Sequence, residues 1–297
     1  MPPALQFLDD PGDFLAAAAE LLASAPVEST VVAGVTDRMV REAAAGIQPG
    51  RNVPSWWLVV RDEAGVVVGA GMSTAPFAPY PPYLLPMPEE AARALARTLH
   101  GRGEVLGGVN GALPTVEVVA AETARLTGAS YRVAERVRLH ELGELVEPVA
   151  PPGRARPARA AEVDLLLSWH AAFGRDAAQQ AGSDEPHAGP EEDHDSMLRR
   201  IAEGSVWVWE DESGQAVHFS GVSRPAYGVA RIGPVYTPGD RRGRGYAGAT
   251  VAAASRVLLD QGARVCLFTD QANPVSNALY ERLGFRPVVD MANVLIE

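Results

Sequence analysis

Lysine is absent from the 297 residues, so all 26 basic side chains are arginine. A lysine Schiff base or lysine nucleophile is thereby excluded. Cysteine occurs once, as Cys266, which rules out an intrachain disulfide and fits a reducing, cytoplasmic compartment. No apolar run reaches the length of a membrane span. The apolar stretch 14–25 follows Asp9, Asp10 and Asp13 rather than basic residues, and Glu20 interrupts it. It therefore reads as an amphipathic first helix and not as a leader. Positive charge is short as well: the net charge of −11 argues against nucleic acid or an anionic membrane as partner. Metal-ligand spacing is missing. The acidic run Glu191-Glu192-Asp193-His194-Asp195 fits no ligand template, and acidic residues are favoured in a helix's first turn. No metal is expected.

What is present is a globular composition, 47% hydrophobic and 21% charged, with a length suited to two domains. The chain also repeats itself. Residues 56–69 and 206–218 each read as strand, tight turn, strand, with Asp-Glu-x-Gly at both turns. After the first hairpin come a helix over 89–99, a strand over 104–109 and Pro114 opening another helix, the order that also follows the second hairpin. We divide the chain into a domain over 1–147, a proline-rich linker over 148–158 and a domain over 159–297. The second domain opens with a helix over 160–173 and a polar stretch over 174–190.

The later half is organised around Val235-Tyr236-Thr237-Pro238-Gly239-Asp240-Arg241-Arg242-Gly243-Arg244-Gly245-Tyr246-Ala247. This segment joins a strand-like run, 229–236, to a helical run, 246–261. Gly243 and Gly245 suit a tight turn and the close approach of a ligand. The helix then starts with unpaired N–H groups at the positive end of its dipole, an anion site to which Arg241, Arg242 and Arg244 add charge. The third glycine of a dinucleotide fingerprint and the Lys-Ser/Thr of a triphosphate loop are both missing. A diphosphate cradle is the sharper reading, an arginine-rich surface turn the plainer one.

Next comes Arg264-Val265-Cys266-Leu267-Phe268-Thr269-Asp270, a short apolar run suited to a buried parallel strand, with Cys266 as an inert core thiol. Asn273-Pro274 supplies an N-cap and a first-turn proline for a helix over 275–283, and Gly284 stops it. Asn273, Asn277 and Tyr280 share one helical face by spacing. Arg242-Gly243-Arg244-Gly245-Tyr246-Ala247 followed by Asn273-Pro274-x-Ser276-Asn277-Ala278-x-Tyr280-x-x-x-Gly284-Phe285 resembles the two motifs of the GNAT superfamily of acyl-CoA-dependent N-acyltransferases. The resemblance is strong over 231–288 and rests on topology elsewhere.

The resemblance implies an α/β (α+β) fold of two tandem GNAT-like domains, each a mixed, mostly antiparallel sheet flanked by helices. The first copy is degenerate: Pro86-Met87-Pro88-Glu89-Glu90 stands where the cofactor turn belongs, and Glu117 and Ala120 replace Asn277 and Tyr280. It implies acetyl-CoA as co-substrate and acetyl transfer to a primary amine of a small molecule. The cofactor-binding residues it implies are Val235, Tyr236, Thr237, Arg242, Gly243, Arg244, Gly245, Tyr246 and Ala247, with Asn273 and Asn277 on the pantetheine arm or serving as caps. Tyr280 is the implied general acid, and the N–H of Val235 the donor to the oxyanion. An attacking alkyl amine, with a pKa of about 10.4, must first lose a proton, whereas a thiolate leaving group of about 8.5 is matched by a phenol near 10. The strand 231–234 lacks a glutamate base, so an ordered water is expected, with Glu210, His218 and Asp270 as weaker candidates. The polar stretch 174–190 is read as a lid over the acceptor pocket. Competing readings are a non-catalytic acyl-CoA sensor or scaffold, and a protein-directed or mycothiol-synthase-like transferase; a homodimer is compatible with all of them.

Overall fold

A computed structural model describes residues 3–47, 55–180 and 192–297. In chain order the elements are β1 (Ala4–Leu8), α1 (Pro11–Ala17), α2 (Ala19–Ser24), α3 (Thr30–Ala44), β2 (Trp56–Arg61), β3 (Val67–Ser73), β4 (Tyr83–Leu84), α4 (Glu89–Gly101), β5 (Gly108–Ala112), α5 (Thr115–Thr127) and β6 (Tyr131–Leu142). There follow β7 (Arg154–Pro157), α6 (Val163–Gln180), α7 (His194–Ala202), β8 (Val206–Glu210), β9 (Ala216–Val222), β10 (Val229–Tyr236), α8 (Tyr246–Asp260), β11 (Arg264–Asp270), α9 (Pro274–Leu283) and β12 (Phe285–Ile296). No helix among the described residues is long and apolar enough to cross a membrane.

The chain forms two compact units: residues up to Arg138 together with Val289–Glu297, and Leu139–Val288. The first unit orders its strands β1-β2-β3-β4-β5, antiparallel except for the parallel pair β4–β5. The second orders β7-β8-β9-β10-β11 in the same way, with β10–β11 as its parallel pair. Each is an α/β fold with a mostly antiparallel sheet flanked by helices. The repeat extends to its turns. The Asp62 carboxylate accepts from the N–H groups of Ala64 and Val66 at 2.9 and 2.9 Å, and Asp211 accepts from Ser213 and Gln215 at 2.9 and 3.1 Å. Gly65 and Gly214 both sit at φ +81°, a conformation open to glycine without a Cβ penalty.

Each sheet takes its last strand from the other half of the sequence. In the first unit β12 borders β5, with Met291 opposite Ala112 and Leu295 opposite Gly108. Ala292, Val294 and Ile296 thereby enter the core built on Leu58, Leu95, Leu99 and Val119. In the second unit the end of β6 borders β11, where Glu141 holds Arg264 at 2.6 and 2.9 Å. The units therefore divide the chain at 138/139 and 288/289 rather than at a linker over 148–158, and residues 154–157 of that segment are the strand β7.

Two further expectations shift. The strand expected over 104–109 lies at Gly108–Ala112, after a stretch, 104–107, without regular secondary structure. The helix expected over 160–173 starts at Val163 and runs on to Gln180, so the first part of the supposed lid is helical. The rest of that stretch, 181–190, lies outside the described residues.

Candidate functional site

The core of the second unit explains why β10, α8, β11 and α9 converge. Ala230 and Ile232 of β10, Val265 and Leu267 of β11, Val251 and Leu258 of α8 and Leu283 of α9 share one apolar cluster. Burying that cluster fixes both strands where they lie side by side, from Val229↔Arg264 to Ile232↔Leu267. Pairing ends there. Gly233 and Pro234 fall in an irregularity of register against β9, and Val235 lies opposite Ser220. The strands thus part at Val235, the residue expected from the sequence to donate to the oxyanion. Two residues past the last pair, Thr269 on β11 is buried, and its hydroxyl has no partner among the described residues.

Beyond Tyr236 the chain turns through 239–241 and enters α8. Gly243 and Gly245 adopt φ +75° and +85°, left-handed conformations that L side chains rarely take. A Cβ on Gly243 would meet nothing within 4 Å, so the surface above the turn is open. The first helical bond is Ala249 N–H to the Gly245 carbonyl, at 3.1 Å. Among the described residues no carbonyl or side chain accepts from the amides of 243–248. Six adjacent donors at a helix start form a cradle for an anion. An acyl-CoA diphosphate fits this donor set.

The arginines divide their work. Arg242 donates through Nε to the Thr237 carbonyl at 3.0 Å and through Nη2 to Asp176 of α6 at 2.5 Å. The same carboxylate oxygen accepts from the Tyr236 hydroxyl at 3.0 Å. Arg242 is therefore a tie between the turn and α6 before it is anything else. Arg244 is exposed and reaches the Asp240 carbonyl at 3.3 Å, while Arg241 pairs with the Asp240 carboxylate. The buried side of Tyr246 packs against Trp209, and Ala247 is half-buried on the first turn of α8.

On the other arm, Asn273 caps α9 by accepting from Ser276 N–H at 3.1 Å. Asn277 donates through Nδ2 to the carbonyls of Asp270 and Gln271 at 3.1 and 3.3 Å, which holds the turn after β11. Both asparagines act locally, as caps and turn braces. Tyr280 is 6% exposed, with its ring edge-on to Phe285 at 5.9 Å. Burial alone pushes its phenol up from the ordinary value of 10.0. The group holds its proton throughout the neutral range.

Two of the weaker base candidates are tied up in the protein. Glu210 lies against Arg154, Arg156 and Arg159 at 2.8, 2.6 and 3.2 Å, and hydrogen bonds from Arg156 and Arg154 hold its carboxyl below the usual range. His218 is fully buried and hydrogen-bonded at both ring nitrogens, and burial lowers its pKa to about 3. Asp270 braces the next turn, accepting from Ala272 N–H at 2.8 Å. Within the acidic run, Asp193 caps α7 and Glu192 pairs with Arg200. Glu191 lies outside the described residues. Among the described residues no group of three or more His, Cys, Asp or Glu is placed to hold a metal.

In the first unit the corresponding junction is bonded differently. The Met87 N–H is taken by the Thr115 hydroxyl at 3.2 Å, and a Cβ on Gly111 would stand 2.0 Å from the Leu84 carbonyl. β4 and β5 pair at Tyr83↔Asn110 and Leu84↔Gly111. Sequence reasoning missed the role of Asp176, which stands 66 residues before Arg242 in the stretch read as a lid.

Residues 168–285 match the acetyltransferase (GNAT) family model. Mycothiol acetyltransferase of Salinispora tropica is 32% identical over 211 residues, 65% of this chain and 64% of that protein, so the chain spans just under two thirds of this relative's length. A GCN5-related N-acetyltransferase from Sphaerobacter thermophilus shares the fold with a TM-score of 0.60 at 16% identity, over 98% of this chain and 95% of that one. A tandem GNAT protein from the clavulanic acid biosynthesis pathway does so with a TM-score of 0.56 at 15% identity, over 99% and 98%.

Proposed function

We propose that this protein transfers the acetyl group of acetyl-CoA to the primary amine of a small molecule, a reading supported by the match of residues 168–285 to the GNAT family model. The observation that carries this reading is the run of unpaired amides at 243–248, placed beside two strands that part after Ile232 and Leu267. The amides hold the diphosphate; the gap between the arms takes the pantetheine and the thioester. The neutral amine attacks the carbonyl carbon, its excess proton passing to water. The Val235 N–H donates to the oxygen as it becomes negative. The carbon–sulfur bond then breaks, and the Tyr280 hydroxyl gives its proton to the departing sulfur. Burial keeps the Tyr280 phenol protonated in the neutral range and makes it a weaker acid than a free phenol, and the tyrosinate left after transfer recovers its proton from water.

Thiol release from acetyl-CoA, screened against a library of amines, tests the reading. Tyr280→Phe is expected to lower kcat by about 10²- to 10⁴-fold, the usual range for a general acid, with CoA affinity held. Equal turnover by both proteins would remove Tyr280 from the mechanism, and CoA binding without any turnover would favour a sensor or scaffold. The likeness to a mycothiol acetyltransferase supports including mycothiol-related amines in that library.

A further inference from the structure

His218 is a buried titratable group that the transfer steps above do not use. It stands between two hydroxyls: Nε2 lies 2.8 Å from Ser220 Oγ and Nδ1 lies 2.7 Å from Thr237 Oγ1. His218 and Ser220 are both 0% exposed. The ring is neutral in the neutral pH range, so it carries one N–H. Among the described residues, Ser220 Oγ has His218 as its hydrogen-bond partner. A buried O–H left without an acceptor is costlier than an oxygen left with an idle lone pair. Ser220 therefore donates to Nε2, which places the ring proton on Nδ1. That N–H donates in turn to Thr237 Oγ1, and the Thr237 hydrogen is left to point away from the histidine. Thr237 is half-buried, directly after β10, and its carbonyl holds Arg242 at the entrance to the open amides.

We propose that Ser220 and His218 form a relay that presents the Thr237 hydroxyl as a hydrogen-bond donor to an oxygen of the bound acyl-CoA, which makes His218 a positioning residue. The inference rests on the acyl-CoA reading of this site. It is tested by titrating the full chain with CoA in a calorimeter. Thr237→Val is expected to weaken binding by about tenfold, the worth of one hydrogen bond to an anionic group, and Thr237→Ser to retain it. His218→Asn keeps an amide N–H where Nδ1 stands and retains affinity, whereas His218→Gln, which keeps only the Ser220 side, loses it. Nitrogen-15 shifts of the wild-type imidazole should place the proton on Nδ1. A proton on Nε2, unchanged binding by Thr237→Val, or equal binding by the two His218 variants would each overturn the proposal. If the His218 variants do not fold, the Thr237 pair and the imidazole shifts still decide it. Failure of the wild-type chain to bind CoA would instead remove the functional reading beneath it.

Discussion

His218 and Glu122 sit in different units and respond to acid in the same direction for opposite reasons. His218 is depressed from 6.5 to about 3 by burial, so the native state takes up its proton later than the unfolded chain does. Its contribution to stability is complete above pH 6.5 and drains away as pH falls toward 3. Glu122 is 2% exposed and is reached by Arg125, Arg97 and Arg93. Hydrogen bonds from Arg125 and Arg97 hold it at about 2, against an ordinary 4.5. Its contribution is complete above pH 4.5 and is lost as pH falls through 2. Thermal unfolding followed from pH 7 to pH 2 should therefore show a decline in two stages. His218→Asn should flatten the upper stage and Glu122→Gln the lower one. Only part of either role was legible in the sequence: Ser220 stands two positions from His218 and Arg125 three from Glu122, whereas Thr237, Arg97 and Arg93 are brought in by the fold.

Among the elements, α8 and α9 show how much of the site a linear pattern encodes. Glycine spacing placed the start of α8 at Tyr246, and Asn273-Pro274 with Gly284 placed both ends of α9. Caps and positive-φ glycines act within four residues, so sequence alone reveals them. Gly245→Ala should cost about 1–2 kcal/mol, because alanine must be forced into a left-handed conformation, and CoA binding should weaken as the amides turn away. Urea unfolding and CoA titration measure the two effects separately. Asn273→Ala should cost about 1 kcal/mol through the lost cap. Gly284→Ala should cost more than either, since a Cβ there would stand 2.0 Å from the Glu144 carbonyl. The urea midpoints of the three variants should follow that order.

For the molecule as a whole, the exchange of last strands has a consequence for truncation. Residues 289–296 supply Ala292, Val294 and Ile296 to the core of the first unit and pair with β5. Ending the chain at Val288 should therefore destabilise the first unit, although its own residues up to Arg138 remain intact. Hydrogen exchange should show loss of protection in β5 and α5. Unchanged protection there would mean that β12 is dispensable to that unit.

Sequence by itself determined the repeat, the two hairpins, the glycine turn, the capped helix after β11 and the missing cofactor turn of the first copy. All of these depend on residues a few positions apart, where backbone geometry and capping chemistry decide the outcome. Only the tertiary structure decided that Arg242 is spent on Asp176 and Thr237, that His218 links Ser220 to Thr237, and that β6 and β12 border β11 and β5. Such pairings join residues up to nearly two hundred positions apart, and one apolar strand or one carboxylate resembles another until packing selects which partner lies within reach.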